Sequence, residues 1–283
     1  MTLLIDKIRK SIIGDKRPMM TPFGRKPLVY ADYTASGRSL EFIEEYIQDQ
    51  VLPFYANTHT ESSFTGAQTT RLREQARQQI REAVNGDSQD KVIFCGPGAT
   101  AAINKLIDIL NLRLPRDLND RYALSTSIPP EQRPVVFIGP YEHHSNELPW
   151  RESIADVVVI SLTGKGHINT EELERQLNAY ADRPLLIGSF SAASNVTGIK
   201  SDVEGVTALL KQYSALAFWD YAAAAPYVGI DVNACAPIDA VFISPHKFIG
   251  GPGTPGVLVA KKSLFNNTVP ALVGGGTVVY VTP

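Results

Sequence analysis

Apolar positions along the chain follow two different periods. Stripes at helical spacing predict helices at the N-terminus and at about 39–52, 66–85, 98–111, 170–180 and 202–213. Short continuous apolar runs predict buried strands, namely KVIFC (91–95), VVFIG (135–139), DVVVIS (156–161), LLIGSF (185–190), LAFWD (216–220), AVFIS (240–244) and GVLVA (256–260). Because helices separate several strands, the pattern predicts an α/β fold: a three-layer αβα sandwich around a mainly parallel sheet of about seven strands.

Two stretches carry neither period. Residues 17–27 are rich in proline and glycine and predict a connector after the N-terminal amphipathic helix. Residues 113–133 are polar and proline-containing, and they predict a long surface excursion. Parallel sheets bind ligands at the carboxyl ends of their strands, so ligand-binding residues are expected where the apolar runs end.

Composition and charge narrow the class of protein. Over 283 residues, 27 Lys and Arg face 29 Asp and Glu, a net charge of −2, so no bulk attraction to nucleic acid or to an anionic membrane is expected. No apolar run reaches the roughly 18 residues of a membrane span, the N-terminus lacks a signal-peptide cleavage site, and the two cysteines make no disulfide framework. We therefore expect a cytoplasmic globular protein.

The first candidate site is the segment FCGPGATAAINKL (94–106). A strand runs through a Gly-Pro-Gly turn into a helix whose free N–H groups and dipole favour an anion, and Thr100 adds a hydroxyl. The segment therefore predicts a phosphate seat, with an empty structural turn as the plain alternative. A dinucleotide fingerprint would need an acidic residue at the end of the next strand, whereas Asp117 and Asp120 fall in the surface excursion.

Two further candidates are His143, in GPYEHHSNELPW (139–150), and Asp220, which ends LAFWD. An imidazole at a strand end can stack on an aromatic ligand, transfer a proton or bind a metal, although paired histidines are often plain surface. With only Glu142 adjacent and His167 on a separate turn, no metal site is expected. A buried carboxylate needs a cationic or hydrogen-bonding partner, unless Asp220 merely caps the next turn.

The fourth candidate is Lys247, which follows the strand AVFIS closely and is flanked by Ser244, His246 and a glycine-proline hairpin. Lysines are ordinarily exposed and inert. A lysine held between a strand and a tight loop has the desolvated setting that makes an amine nucleophilic toward a carbonyl. A phosphate, an aromatic ring, a ring cation and an aldehyde together are the features of pyridoxal 5′-phosphate, so the four clusters predict that cofactor.

At this point the sequence resembles the class V aminotransferase family of fold-type I pyridoxal-phosphate enzymes, in particular its cysteine desulfurase and selenocysteine lyase branch. The resemblance covers about Tyr30 to Thr277. It is carried by YADYTASG (30–37), NTHTESSFTGAQTT (57–70), GATAAIN (98–104), EHHSNELPW (142–150), SNVTG (194–198), WDYAA (219–223), SPHK (244–247) and GGGT (274–277). The EHHSN and SPHK motifs, with the aspartate between them, are the specific part.

The resemblance implies roles for individual residues. Of the three catalytic residues it implies, Lys247 would hold the cofactor as a Schiff base, His143 would stack on its ring, and Asp220 would pair with the pyridinium nitrogen. Further cofactor contacts, at the ring oxygen and the phosphate, would come from Asn195, Ala99, Thr100, Ser244, His246 and Thr277 of the partner subunit. The candidate substrate contacts are Ala35, Ser36, Asn57 and His59.

The chain departs from the branch in three places. Ala223 stands where the branch usually has a glutamine, which leaves tuning of the Schiff base to Asn195 or Tyr221. The phosphate turn reads Gly-Ala-Thr where the family often has Gly-Thr-Thr. Neither Cys95 nor Cys235 matches the sulfur-accepting cysteine of the desulfurases, and both are expected to be small packing residues.

The resemblance also implies domain organisation and activity. Residues 1–28 would form an N-terminal helix and connector, residues 29–283 the cofactor-binding large domain, and a C-terminal small domain would lie outside this chain. The implied activity is C–S cleavage of an amino acid, giving alanine and sulfur, in a homodimer with its active site near the interface and a sulfur-acceptor protein as partner. Alternatives are a class V aminotransferase or kynureninase-like enzyme, a non-catalytic binding or dimerisation module, and a nucleotide-binding oxidoreductase.

Overall fold

The computed structural model describes residues 2–58 and 61–274, and the chain divides into two compact units. The first unit runs to Gln78 and includes Pro245–Thr254, whereas the second comprises Gln79–Ser244 and continues from Pro255. Lys247 thus belongs to the first unit.

The first unit begins with the predicted amphipathic helix. This helix, α1 (Thr2–Lys10), carries three basic residues in its last turn, where cations interact favourably with the helix dipole. The helix predicted at 39–52 is α2 (Glu41–Tyr46), which continues as a π-helical turn over Ile47–Val51 and a 3-10 turn over Leu52–Phe54. The next predicted helix is α3 (Phe64–Ala83).

The segment at residues 17–27, predicted only as a connector, forms an antiparallel hairpin. Its strands are β1 (Pro18–Thr21) and β2 (Gly24–Pro27). The Thr21 hydroxyl donates to the carbonyl of Gly24 at 2.7 Å, and Gly24 has a φ of +87°, which favours glycine. Side chains on both strands are largely exposed, so the hairpin lacks the alternation of apolar and polar residues that reveals a half-buried strand.

Seven strands form the sheet of the second unit: β3 (Asp90–Phe94), β4 (Val135–Ile138), β5 (Asp156–Val159), β6 (Leu186–Ser191), β7 (Leu216–Asp220), β8 (Ala240–Ile243) and β9 (Val257–Lys261). Their spatial order is β3-β9-β8-β7-β6-β4-β5. Neighbours from β8 to β5 pair in parallel, and β9 is antiparallel to both β8 and β3. The prediction of a mainly parallel, seven-stranded sheet is confirmed.

Helices cover both faces of this sheet. The helices of this unit are α4 (Gly98–Ile109), α5 (Arg116–Tyr122), α6 (Leu148–Arg151), α7 (Thr170–Ala179) and α8 (Val203–Gln212), and all of them except α5 contribute buried side chains. Phe218 packs in one core cluster with residues of α4, whereas the next residue, Trp219, donates its indole N–H to Thr207 of α8 at 2.8 Å. Successive side chains of a strand point to opposite faces, so α4 and α8 lie on opposite sides and the predicted αβα sandwich is confirmed.

The interior of the sheet is mostly apolar. All side chains of β4, β6 and β8 are buried, while the edge strands β3 and β5 are largely half-buried. Trp150 stacks on Phe218 with ring centroids 6.1 Å apart, and each such fully buried side chain contributes about 1.5–3 kcal/mol to folding. The strands therefore form a rigid platform that fixes where their carboxyl ends lie.

The surface excursion predicted for residues 113–133 is confirmed. It consists of α5 and of 3-10 turns at Leu124–Ser127 and Pro130–Gln132, and its side chains are exposed or half-buried. In the described part of the chain, no helix is both long and apolar enough to cross a membrane.

Candidate functional site

Polar groups gather at the carboxyl edge of the sheet in the second unit. The parallel strands β4, β6, β7 and β8 end at this edge, and β3 points the same way because it and β8 are both antiparallel to β9. Four predicted segments follow these strand ends: the turn into α4, the loop carrying His143, the turn carrying Asn195, and Asp220 itself. The fold thus places these candidates along one edge.

The turn between β3 and α4 is built by backbone packing. Gly98 opens the helix with a φ of +59°, and the amide of Ala99 donates to the hydroxyl of Ser244, just past β8, at 2.8 Å. A Cβ placed on Gly256 would lie only 1.9 Å from the carbonyl oxygen of Gly98. Glycine at both positions lets the start of β9 approach the first turn of α4, where helical N–H groups favour an anion.

Thr100 and His143 are joined through a serine. The hydroxyls of Thr100 and Ser145 lie 2.7 Å apart, and Nδ1 of His143 lies 3.0 Å from the same Ser145 hydroxyl. His143 Nδ1 also accepts the amide N–H of Ser145 at 3.1 Å, as the N-cap of a 3-10 turn. Because Nδ1 accepts a hydrogen bond from the Ser145 amide, the hydrogen-bond pattern places the proton of the neutral ring on Nε2. The His143 ring itself is exposed.

Asp220 is the last residue of β7 and is 5% exposed. Its Oδ1 accepts the amide N–H of Ala222 at 2.8 Å, and its backbone pairs in register with Ser191 on β6 and Phe242 on β8. A carboxylate held at the end of a buried strand is suited to pair with a cation placed at the edge of the sheet.

Glu142, for which the sequence predicts no role beyond a poor metal ligand, joins the His143 loop to β6. Its carboxylate accepts hydrogen bonds from the amide and hydroxyl of Ser191 at 2.9 and 2.6 Å, and from Nδ2 of Asn146 at 2.7 Å. Burial raises its pKa to about 7, and the nearby charge of Asp220 acts in the same direction. The available sequence signal was an acidic residue directly before His143 in a loop after a buried strand.

Two residues considered for tuning the cofactor differ in exposure. Asn195 is exposed in the turn after β6, where the Ser194 hydroxyl accepts the amides of Val196 and Thr197, both at 3.2 Å. Tyr221 is buried, and burial raises the pKa of its phenol to about 12, with the charge of Asp231 adding to the rise. The Tyr221 phenol is therefore neutral at physiological pH.

In the first unit, the turn that carries Lys247 contacts the segment YADYTASG (30–37). Lys247 ends a 3-10 turn over Pro245–Lys247 and is half-buried. The amide of Gly37 donates to the carbonyl of His246 at 2.8 Å, which places Ala35 and Ser36 beside this turn along the chain. Burial lowers the pKa of His246, and the charge of Lys247 lowers it further.

The remaining predicted positions are separate from these contacts. Asn57 is exposed in the segment before α3, while His59 and Thr277 lie outside the described residues. Cys235 is exposed, which differs from the packing role expected for it, whereas Cys95 is half-buried and burial raises its pKa. Across residues 2–58 and 61–274, no group of three or more His, Cys, Asp or Glu side chains could hold a metal ion.

A seven-stranded αβα platform, with an anion-favouring helix start and a buried aspartate at its carboxyl edge, has the fold of pyridoxal-phosphate-dependent transferases. The family model described as "Aminotransferase class-V" matches residues 29–283. The chain belongs to this family, whose members depend on pyridoxal phosphate.

Curated relatives and solved structures agree with this assignment. A probable cysteine desulfurase of Streptomyces coelicolor is 27% identical over 252 residues, covering 88% of this chain and 56% of that protein. A similar protein of Halalkalibacterium halodurans is 28% identical, covering 90% of this chain and 58% of its own length. This chain thus spans a little over half the length of these relatives.

Among solved structures, a cysteine desulfurase of Thermococcus onnurineus superposes with a TM-score of 0.74 at 21% identity, covering 98% of this chain and 62% of that one. A NifS-like protein of Rickettsia africae gives a TM-score of 0.70 at 22% identity, covering 88% of this chain and 62% of that one. At this level of identity the likeness establishes the fold.

Proposed function

We propose that the protein containing this chain is a pyridoxal-phosphate enzyme that cleaves the C–S bond of cysteine, releasing alanine and transferable sulfur. The relatives named as cysteine desulfurases support this substrate and reaction. The observation that carries the proposal is the carboxyl edge, where the first turn of α4, His143 and Asp220 lie at the ends of β3, β4 and β7, which point the same way in one sheet. These residues match the phosphate, the ring face and the ring nitrogen of the cofactor.

The residues at this edge fit pyridoxal phosphate for a structural reason. The close approach of Gly256 to Gly98 fixes the first turn of α4, whose N–H groups favour an anion such as the phosphate. Ala99, Thr100 and Ser244 lie at this turn, with their polar groups already oriented by hydrogen bonds. When bound, the cofactor supplies an electrophilic carbonyl carbon and an electron-accepting ring.

The side chains supply positioning and proton transfer. A buried Asp220 carboxylate favours a protonated ring nitrogen and so strengthens the ring as an electron acceptor. His143 offers an exposed, oriented ring face for stacking and an N–H on Nε2 for proton transfer. The amine of Lys247 would hold the cofactor and could carry the proton of the substrate α-carbon. Asn195 would contact the ring oxygen and His246 the phosphate.

Binding of the cofactor is tested by its visible absorption. We expect the purified chain to develop a visible band with pyridoxal phosphate, and the Lys247→Ala variant to lose it. Lys262→Ala is the matched control, because Lys262 is an exposed lysine of the second unit. A band that persists in Lys247→Ala but disappears in Lys262→Ala, or no lysine-dependent band at all, would contradict the proposal.

The reaction is tested in the full-length protein with L-cysteine. With dithiothreitol present to reduce the released sulfur to sulfide, we expect alanine and sulfide in equal amounts, and a loss of at least about 100-fold in kcat for Lys247→Ala, the lower range for a general acid-base group. Turnover that requires a 2-oxo acid would instead indicate an aminotransferase. Cofactor binding without any turnover would favour a silent binding module, the outcome to which Ala223 at the usual glutamine position points.

The quaternary arrangement and compartment form part of the same proposal. The large domain spans residues 29–283 after an N-terminal segment of residues 1–28, and a small domain contributes the remaining substrate contacts. Two copies form a homodimer in the cytoplasm, with Thr277 of the partner subunit at the phosphate. Ala35, Ser36, Asn57 and His59 contact substrate, and a separate protein accepts the sulfur. Sedimentation of the full-length protein as a monomer at micromolar concentration would refute the dimer.

A further inference from the structure

Residues on both sides of His143 fasten its loop to the sheet. The Tyr141 hydroxyl lies 2.9 Å from the hydroxyl of Ser201, which in turn donates to the carbonyl of Ser191 at 2.6 Å. Glu142 contacts the same Ser191 through both of its carboxylate oxygens. One serine of β6 therefore anchors the residues immediately before His143.

A second anchor follows the histidine. The amide of Asn146 donates to the carbonyl of His143 at 2.7 Å, and the Asn146 side chain both donates to Glu142 and accepts from the hydroxyl of Ser189 at 2.7 Å. Asn146 is fully buried, and the indole N–H of Trp150 reaches the Ser189 hydroxyl at 3.2 Å. Glu142 is thus the member of this network that links both anchors.

The backbone of the loop is shaped around the Glu142 carboxylate. A Cβ placed on Gly139, the residue just after β4, would lie 2.6 Å from Oε1 of Glu142. A glycine here lets the carboxylate fold back beneath the loop and reach β6. Removing a carboxyl group from water is costly unless hydrogen bonds replace the lost water contacts. The hydrogen bonds from Ser191 and Asn146 replace them for Glu142 and tie the loop to β6.

We propose that Glu142 is a positioning residue, whose carboxyl group clamps the loop onto β6 and thereby sets the place and orientation of the His143 ring. The clamp consists of hydrogen bonds within this chain and does not depend on the cofactor. Its effect on the cofactor rests on the proposed function, since the ring is useful only if pyridoxal phosphate binds over it.

The test compares Glu142→Ala and Glu142→Gln with Thr207→Val. Alanine removes all three hydrogen bonds, whereas glutamine keeps the length and one acceptor oxygen. Thr207→Val is the matched control, because it removes a buried hydrogen bond, 2.8 Å to Trp219, on the opposite face of the sheet. The glutamine variant also keeps the proposal testable if the alanine variant fails to fold.

The first measurement needs no cofactor. Amide hydrogen exchange at Asn146 is expected to become at least about tenfold faster in Glu142→Ala, less so in Glu142→Gln, and to change less than about twofold in Thr207→Val. The ring signals of His143 in NMR spectra are expected to shift in the two Glu142 variants only. Equal acceleration in all three variants would mean general destabilisation and would overturn the proposal, as would an unchanged His143 signal in Glu142→Ala.

The second measurement adds pyridoxal phosphate. We expect the dissociation constant to rise about tenfold in Glu142→Ala, with partial recovery in Glu142→Gln and no change in Thr207→Val. If the wild-type chain binds no cofactor, the proposed function fails while the exchange data still decide the clamp. If the wild type binds and Glu142→Ala binds equally well, the positioning role is refuted.

Discussion

The close backbone approach of Gly256 to Gly98 predicts a large effect of one methyl group. In Gly256→Ala, the new Cβ would lie 1.9 Å from the carbonyl oxygen of Gly98 and 2.5 Å from its carbonyl carbon. Contacts below 3.0 Å are essentially never seen for a Cβ, so the two backbones must separate by at least about 1 Å. No flexible side chain is available to absorb the shift, because the contacting atoms are main chain.

The movement is resisted from both sides. Gly256 donates to the carbonyl of Gly96 at 2.7 Å and accepts from the amide of Cys95 at 2.8 Å, so either these bonds or the first turn of α4 must give way. Overpacking costs about 1–3 kcal/mol. A weakened backbone hydrogen bond adds about 1 kcal/mol. We therefore expect Gly256→Ala to lower the free energy of unfolding by about 2–4 kcal/mol.

Chemical denaturation followed by circular dichroism measures this change, and titration with pyridoxal phosphate measures its effect on binding. Gly229→Ala is the control, because a Cβ there meets no atom within 4 Å. Its stability should stay level or rise by about 0.4–1 kcal/mol, as alanine narrows the unfolded ensemble. A Gly256→Ala variant as stable as Gly229→Ala, with unchanged cofactor affinity, would refute the argument from backbone contact.

Three further predictions concern charges and hydrogen bonds in the second unit. Lys261→Met leaves the buried Asp90 carboxylate without its 2.8 Å partner and should cost about 3–5 kcal/mol in urea denaturation, whereas Lys262→Met should cost less than about 1 kcal/mol. The wild type should lose up to about 3 kcal/mol of stability as the pH rises from 4.5 through 7, because folded Glu142 keeps its proton longer than the unfolded chain; Glu142→Gln should lack this loss in pH-dependent unfolding. Ser244→Ala removes the buried hydroxyl that accepts the Ala99 amide at the start of α4. It should lower the free energy of unfolding by about 1–2 kcal/mol and raise the pyridoxal-phosphate dissociation constant. If both values stay unchanged, this hydroxyl has no role.

The sheet could be predicted from the sequence because its strands are buried on both faces. A continuous apolar run such as AVFIS is typical of a strand inside a helix-covered sheet, and helical stripes between such runs favour parallel crossovers. The hairpin at residues 17–27 could not be predicted in this way, since its exposed strands bury no face and leave no periodic signal.

The sequence identifies the polar residues of the candidate site, but it does not predict which of them contact one another. His143 and Asp220 stand out because each follows an apolar run. The contact of Glu142 with Ser191 joins residues 49 positions apart, and it depends on β4 and β6 being neighbours in the sheet. The approach of Gly256 to Gly98 likewise depends on the pairing of β3 with β9. Such long-range contacts follow from topology, which local patterns do not contain.

Two carboxyl groups at one edge of the sheet divide their tasks by environment. Glu142 receives three hydrogen bonds, yet its pKa lies near 7 because burial outweighs them and because Asp220 adds like charge. When Glu142 is neutral, no negative charge of its own lies beside Asp220. A Glu142 that holds its proton can therefore fasten the His143 loop without competing for the cation that Asp220 is proposed to bind. A permanently charged side chain at this position would still fasten the His143 loop, but it would compete with Asp220 for the cation.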